Sequence, residues 1–161
     1  MTNWRAMPAE EAADLAGALH SLDWSWALDD APAVAEKFGW HISSSRPRRI
    51  RVDTAFGPDS GAFRAKDGQV TGIDLQLTDF AVPDQSSEVS ASFDAISAAI
   101  TVKLGEPTAR VAGPPPQLRW AGPKATLVIE RSAASVWLYL ITNARLAADD
   151  RNIELEEQGL L

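Results

Sequence analysis

Lys66-Asp67-Gly68-Gln69-Val70-Thr71-Gly72-Ile73-Asp74-Leu75-Gln76-Leu77-Thr78 is the stretch on which the fold turns. Asp-Gly tolerates the positive φ angles of a type I′ turn, whose twist joins two antiparallel strands without splaying them. After it, Thr71, Ile73, Leu75 and Leu77 alternate with Gly72, Asp74, Gln76 and Thr78. A period of two sends one set into a core and the other towards water, so the segment reads as a half-buried antiparallel strand.

Outward from this hairpin the same alternation recurs. Ile50 and Val52 alternate with Arg49, Arg51 and Asp53, a strand with one wet face. Phe56-Gly-Pro-Asp-Ser-Gly61 has the composition of a loop. Leu127 and Ile129 share a face in the segment 125–130, and residues 136–141 are apolar on both faces, as a central strand would be. Helical spacing appears elsewhere. Pro8 opens a helix over residues 8–21, with Glu10 and Glu11 in its first turn and Ala12, Leu15, Ala16, Leu19 and Leu22 along one face. Asp30 is placed to cap a short second helix that Gly39 stops. Ser87 is placed to cap a third, whose stripe is Val89, Phe93, Ile96, Ile100 and Leu104, ended by Gly105 and Pro107. The tail from Asn143 is helical, with Ile153 and Leu155 as anchors. The expected architecture is therefore a single α+β domain over residues 1–161: a mostly antiparallel sheet of five to six strands, with helices packed on one face. Such a sheet leaves its other face free for water or for a partner.

Composition narrows the chemistry. The chain has 161 residues, no cysteine and two histidines, His20 and His41. Disulfides and cysteine nucleophiles are excluded, and zinc sites or a histidine relay are hard to assemble. No Gly-x-Ser-x-Gly elbow and no glycine-rich phosphate loop is present. The adjacent carboxylates Asp29/Asp30 and Asp149/Asp150 lie side by side in sequence, whereas glycosidic chemistry needs a pair facing across a cleft. No catalytic residue, cofactor or metal is therefore expected.

The net charge is −7, and its distribution is uneven. Residues 1–30 carry a net of −5 and residues 148–161 a net of −4, while Arg46, Arg48, Arg49 and Arg51 crowd into the middle. Acidity argues against nucleic acid as a partner. The arginine group could touch an anion, although a charged strand edge that deters unwanted pairing explains it more simply. The acidic ends serve solubility, or recruit a basic protein partner. No apolar leader opens the chain, and its longest apolar run, residues 136–141, is far short of the roughly 20 residues of a membrane helix, so a cytoplasmic protein without membrane association is expected.

Six tryptophans stand out. Trp40, Trp120 and Trp137 sit in strand patterns as core residues. Trp24 and Trp26 flank a serine and precede Asp29 and Asp30, and large aromatics beside charge are what interface hot spots are made of. Trp4-Arg-Ala-Met-Pro8, Leu22-Asp-Trp-Ser-Trp26, Phe38-Gly-Trp40, Asp53-Thr54, Ser60-Gly61, Asp67-Gly68, Leu104-Gly-Glu-Pro-Thr108 and Arg119-Trp120, in that order, resemble an actinobacterial (Streptomyces-type) family of unknown function. Its members look like the immunity proteins that neutralise polymorphic toxins. The resemblance implies a non-enzymatic protein that binds a cognate toxin domain and blocks its active site. Its candidate contacts are Trp24, Trp26, Asp29 and Asp30, with Asp149, Asp150, Glu156 and Glu157 as a second patch. The alternative is a secretion-chaperone-like protein or adaptor that holds a peptide segment on the exposed sheet face.

Overall fold

The computed structural model describes residues 4–160. It contains α1 (Ala9–His20), α2 (Ala31–Phe38), β1 (His41–Arg46), β2 (Arg49–Thr54), β3 (Gly57–Lys66), β4 (Gln69–Gln76), α3 (Ser86–Leu104), β5 (Ala109–Val111), β6 (Gln117–Ala121), β7 (Ala125–Arg131), β8 (Val136–Thr142) and α4 (Asn143–Glu157). The strands form one sheet in the order β1-β2-β3-β4-β8-β7-β6-β5, antiparallel at every ladder. Two four-stranded meanders, each entered from a helix, therefore meet edge to edge at β4 and β8. The α+β class and the antiparallel pairing are as expected, but the sheet has eight strands and not five to six.

The extra strands have identifiable causes. Pro47 and Arg48 turn the chain, so one apparent strand becomes β1 and β2. The loop expected at Phe56–Gly61 is mostly strand: β3 starts at Gly57, which pairs with Thr54. The register between β2 and β3 shifts between Val52 and Thr54, so Pro58 sits where its missing N–H removes no paired contact. Ser60 anchors this irregular stretch, bonding the Gly57 carbonyl and the Thr54 hydroxyl, both at 2.6 Å. The Asp67-Gly68 turn has φ of 52° and 78°, as a type I′ hairpin requires.

One face of the sheet carries the core. Ile50, Phe63, Ile73, Leu140, Leu127 and Trp120 stand directly opposite one another across six consecutive strands, all buried. A second row contains Val52, Gly61, Leu75, Leu138 and Ile129. Gly61 has no side chain because a Cβ there would lie 2.9 Å from Val52 Cγ2 and 3.0 Å from Leu75 Cδ2. Over these rows pack the apolar stripes of α1 (Ala12, Ala16, Leu19) and α3 (Val89, Ile96, Ile100), against each other and against the sheet. Each large side chain buried in this way contributes about 1.5–3 kcal/mol. The caps differ from expectation: α3 begins at Ser86, and no side chain caps α2 or α3.

The expectation that all helices share one face is also corrected. α4 follows β8 without a loop, Thr142 accepting from the Arg145 N–H, and lies across β7 and β8 on the reverse face. None of its residues is fully buried, and Ile153, expected to anchor it, is half exposed. No described helix is long and apolar enough to cross a membrane.

Candidate functional site

The reverse face is where charge accumulates. Arg46, Arg49 and Arg64 stand directly opposite one another on β1, β2 and β3, and the row continues to Gly72 on β4. The adjacent row runs Arg51, Ala62, Asp74, Tyr139, Val128 and Arg119. Like charges directly opposed weaken a sheet, so three arginines in one row call for a compensating anion. Arg46, Arg51 and Arg64 are exposed; the helix on this face, α4, touches β7 and β8.

Asp74 lies beneath this array, 2% exposed. It takes a short hydrogen bond from Arg64 Nε. Burial pushes its carboxyl above the usual range, and the guanidinium groups of Arg64, Arg145 and Arg49 pull against that push. Arg145 reaches the same point from the first turn of α4. Its Nη1 lies over Gly72, where a Cβ would stand only 2.7 Å away, and its Nε is 3.4 Å from Asp149. Asp74 Oδ1, Arg49 Nε and Arg145 Nη1 are buried and have no hydrogen-bond partner among the described residues. Beside them, a cleft of about 400 Å³ runs between α4 and the sheet, lined by Arg64, Glu130, Tyr139, Ile141 and Arg145 among others. Burial, then Glu130 and Asp74, push the Tyr139 hydroxyl far up, so it stays a neutral donor. At the far side, Arg119 grips Asp150 with two hydrogen bonds of 2.8 and 2.9 Å, and Gln117 donates to Glu130 at 2.6 Å.

This arrangement is suited to holding an anion. Among the described residues, no group of three His, Cys, Asp or Glu could hold a metal ion. His20 ends α1, with a ring nitrogen 3.4 Å from the Ala121 carbonyl, and His41 opens β1; neither lines the cleft.

The residues singled out from sequence are dispersed. Trp26 is buried and Trp24 half-buried, their rings 5.1 Å apart and Trp24 edge-on to Phe63. Trp26, Trp40 and Phe63 belong to the buried core and Trp24 and Phe38 pack against it, so Trp26 offers a partner almost no surface. Trp40 and Trp120 are core as expected, whereas Trp137 is half-buried on the reverse face, stacked on Tyr139. Asp29 and Asp30 are exposed on a 3-10 turn, Asp30 accepting from Ser25 at 2.5 Å. Asp149 and Asp150 are engaged by Arg145 and Arg119, while Glu156 and Glu157 remain exposed at the end of α4. Arg64, Asp74, Tyr139 and Arg145 went unremarked as site residues. Asp74 looked like one more wet-face position, alternating with Ile73 and Leu75 as Gln76 does, and no signal in the sequence marked it as covered.

Fold and site together define an α+β protein with an eight-stranded antiparallel sheet and an arginine-lined reverse face. The chain belongs to a family of unknown function (DUF6301), whose model matches residues 10–142, from the first turn of α1 to the end of β8. That description assigns no activity, source or partner. No curated protein and no solved structure matches the chain.

Proposed function

We propose that this is a non-enzymatic adaptor that works in the cytoplasm and takes an acidic segment of a protein partner on the arginine-lined half of its sheet. One observation carries the proposal: Arg46, Arg49 and Arg64 are aligned across three strands on a face that α4 leaves open, in a chain of net charge −7. Opposed cations are unfavourable in the free protein and become favourable when acidic side chains lie along them. A long polyanion such as nucleic acid suits the face less well, because the acidic N-terminal segment and α4 repel it beyond the patch.

Fluorescence anisotropy with a labelled peptide of eight glutamates tests this. Binding should weaken with salt and fall at least tenfold in the Arg46→Glu/Arg51→Glu double variant. An unchanged affinity in that variant, or tighter binding of a single-stranded oligonucleotide than of the peptide, overturns the proposal.

Neutralisation of a cognate toxin domain is the second reading. It is favoured by the exposed carboxylates of Asp29, Asp30, Glu156 and Glu157, which would complement a basic active-site cleft. It predicts co-purification with the product of a neighbouring gene and rescue of growth against it; absence of both sinks it.

A further inference from the structure

We infer that Arg49, Arg64 and Arg145 form a binding site for a single oxyanion, a carboxylate or a phosphate, where the open sheet face meets the α4 cleft. The site lies within the face proposed above for the partner and rests on that proposal for a protein source of the anion.

Charge is the first argument. Three guanidinium groups from β2, β3 and α4 act on one buried carboxylate, Asp74, while Asp149 lies at the Nε of Arg145 and Glu130, which accepts from Gln117, lines the same cleft. The spot is partly withdrawn from water, with Asp74 2% exposed, so a guanidinium there attracts an anion more strongly than it would in bulk solvent. Hydrogen bonding is the second. Arg49 Nε and Arg145 Nη1 are buried donors without acceptors among the described residues, and leaving such a charged donor unmatched costs more than the bond itself contributes. Asp74 engages Arg64 through Nε, so the two terminal nitrogens of Arg64 remain for an oxygen acceptor, and the side chain is 46% exposed. Guanidinium groups pair with planar carboxylates and with phosphate through two parallel bonds, which favours an oxyanion over chloride. Preorganisation is the third. Asp74 fixes Arg64 from below, Asp149 fixes Arg145 from its own helix, and Gly72 clears the space that the Arg145 guanidinium occupies. Little side-chain ordering then remains to be done when the anion arrives.

Isothermal titration calorimetry on the full chain, at constant ionic strength in chloride, tests the site with two probes: inorganic phosphate and the peptide of eight glutamates. Arg64→Gln and Arg145→Gln should each lower the affinity of at least one probe tenfold or more. Gly72→Ala covers the case in which losing Arg64 strands Asp74 and unfolds the chain. Its methyl group displaces the flexible end of Arg145 without removing a charge, and the same loss is expected. Dependence of phosphate binding on these residues supports a free-phosphate source, and dependence of peptide binding supports partner carboxylates. If neither affinity responds to Arg64, Arg145 or Gly72, the site is overturned. In that case the adaptor proposal still stands if Arg46→Glu/Arg51→Glu abolishes peptide binding. If phosphate binds through these residues and the peptide binds nowhere, the site stands and the adaptor proposal falls.

Discussion

Arg119→Ala should release α4 from the sheet. Arg119 is 13% exposed and gives both terminal nitrogens to Asp150, at 2.8 and 2.9 Å, and its Nε to Gln117 at 3.0 Å. α4 has no fully buried residue, and an isolated helix of 15 residues is marginal in water, so its attachment depends on contacts of this kind. A hydrogen bond between charged groups contributes about 1.5–3 kcal/mol. Asp150 is 46% exposed, so solvent screening reduces the pair to about 1.5 kcal/mol in all. That is roughly a tenfold increase in the detached population. Amide hydrogen exchange should then be about tenfold faster across α4, and trypsin should cut faster after Arg145 and Arg151, while the amides of β1–β4 report an unchanged fold. Asp150→Ala should reproduce the effect, and the double variant should lose little more than either single one, since one interaction is being removed. A change of less than about twofold in α4 exchange would refute the argument. It would show that Leu146 and Leu155, both half-buried, hold the helix and that the ion pair is incidental.

Phe63→Ala should cost about 3–5 kcal/mol in urea unfolding, because Phe63 is fully buried at the crossing of the central core row and the tryptophan cluster; a loss below about 1 kcal/mol would mean that the cluster is not a packed unit. Acidification should act on α4 through Asp150. Hydrogen bonds from Arg119 hold its carboxyl below the usual 3.8. The stability it contributes is complete above that value and is lost as pH falls through the depressed folded value, so α4 exchange should accelerate only below about pH 3.8, and Asp150→Asn should abolish that acid limb. Asp74 works in the opposite sense: burial raises its folded carboxyl, so its contribution is greatest at low pH and declines as pH rises from 3.8 through the raised value. Titration of the two carboxyl resonances by NMR should place Asp150 below 3.8 and Asp74 above it; the reverse order would be inconsistent with the structure.

Much of the fold was legible because local signals and tertiary packing agree. The core set Ile73, Leu75 and Leu77 of β4 and its flank and the α3 stripe follow from periods of two and 3.6, the Asp67-Gly68 turn from its residue types, and the central position of β8 from apolarity on both faces. Where the two disagree, pattern failed. Gly57-Pro-Asp-Ser60 has loop chemistry, and it is strand only because Thr54 and Ser60 clamp it to its neighbour. α4 has no apolar stripe to indicate a face, so an ion pair with a residue 31 positions earlier decides where it lies. The site was half legible. Arg46–Arg51 was visible as a charge run, but which arginines face one another depends on strand register, and register joins Arg49 to Arg64 while α4 delivers Arg145. For Trp24 and Trp26 the neighbouring aspartates suggested an interface, and nothing in the sequence showed that the two rings pack on each other with Trp24 edge-on to Phe63.

The seam between the two meanders carries a lesson about synthesis. Residues 69–76 leave the ribosome long before 136–142, yet these are neighbours at the middle of the finished sheet. The nascent N-terminal half must wait with a long apolar strand edge, bearing Ile73 and Leu75, unpaired until the final strand emerges. Distant pairings of this kind form slowly, and open edges invite the wrong neighbour. Premature termination anywhere before residue 136 would therefore leave an adhesive fragment, not a smaller working protein.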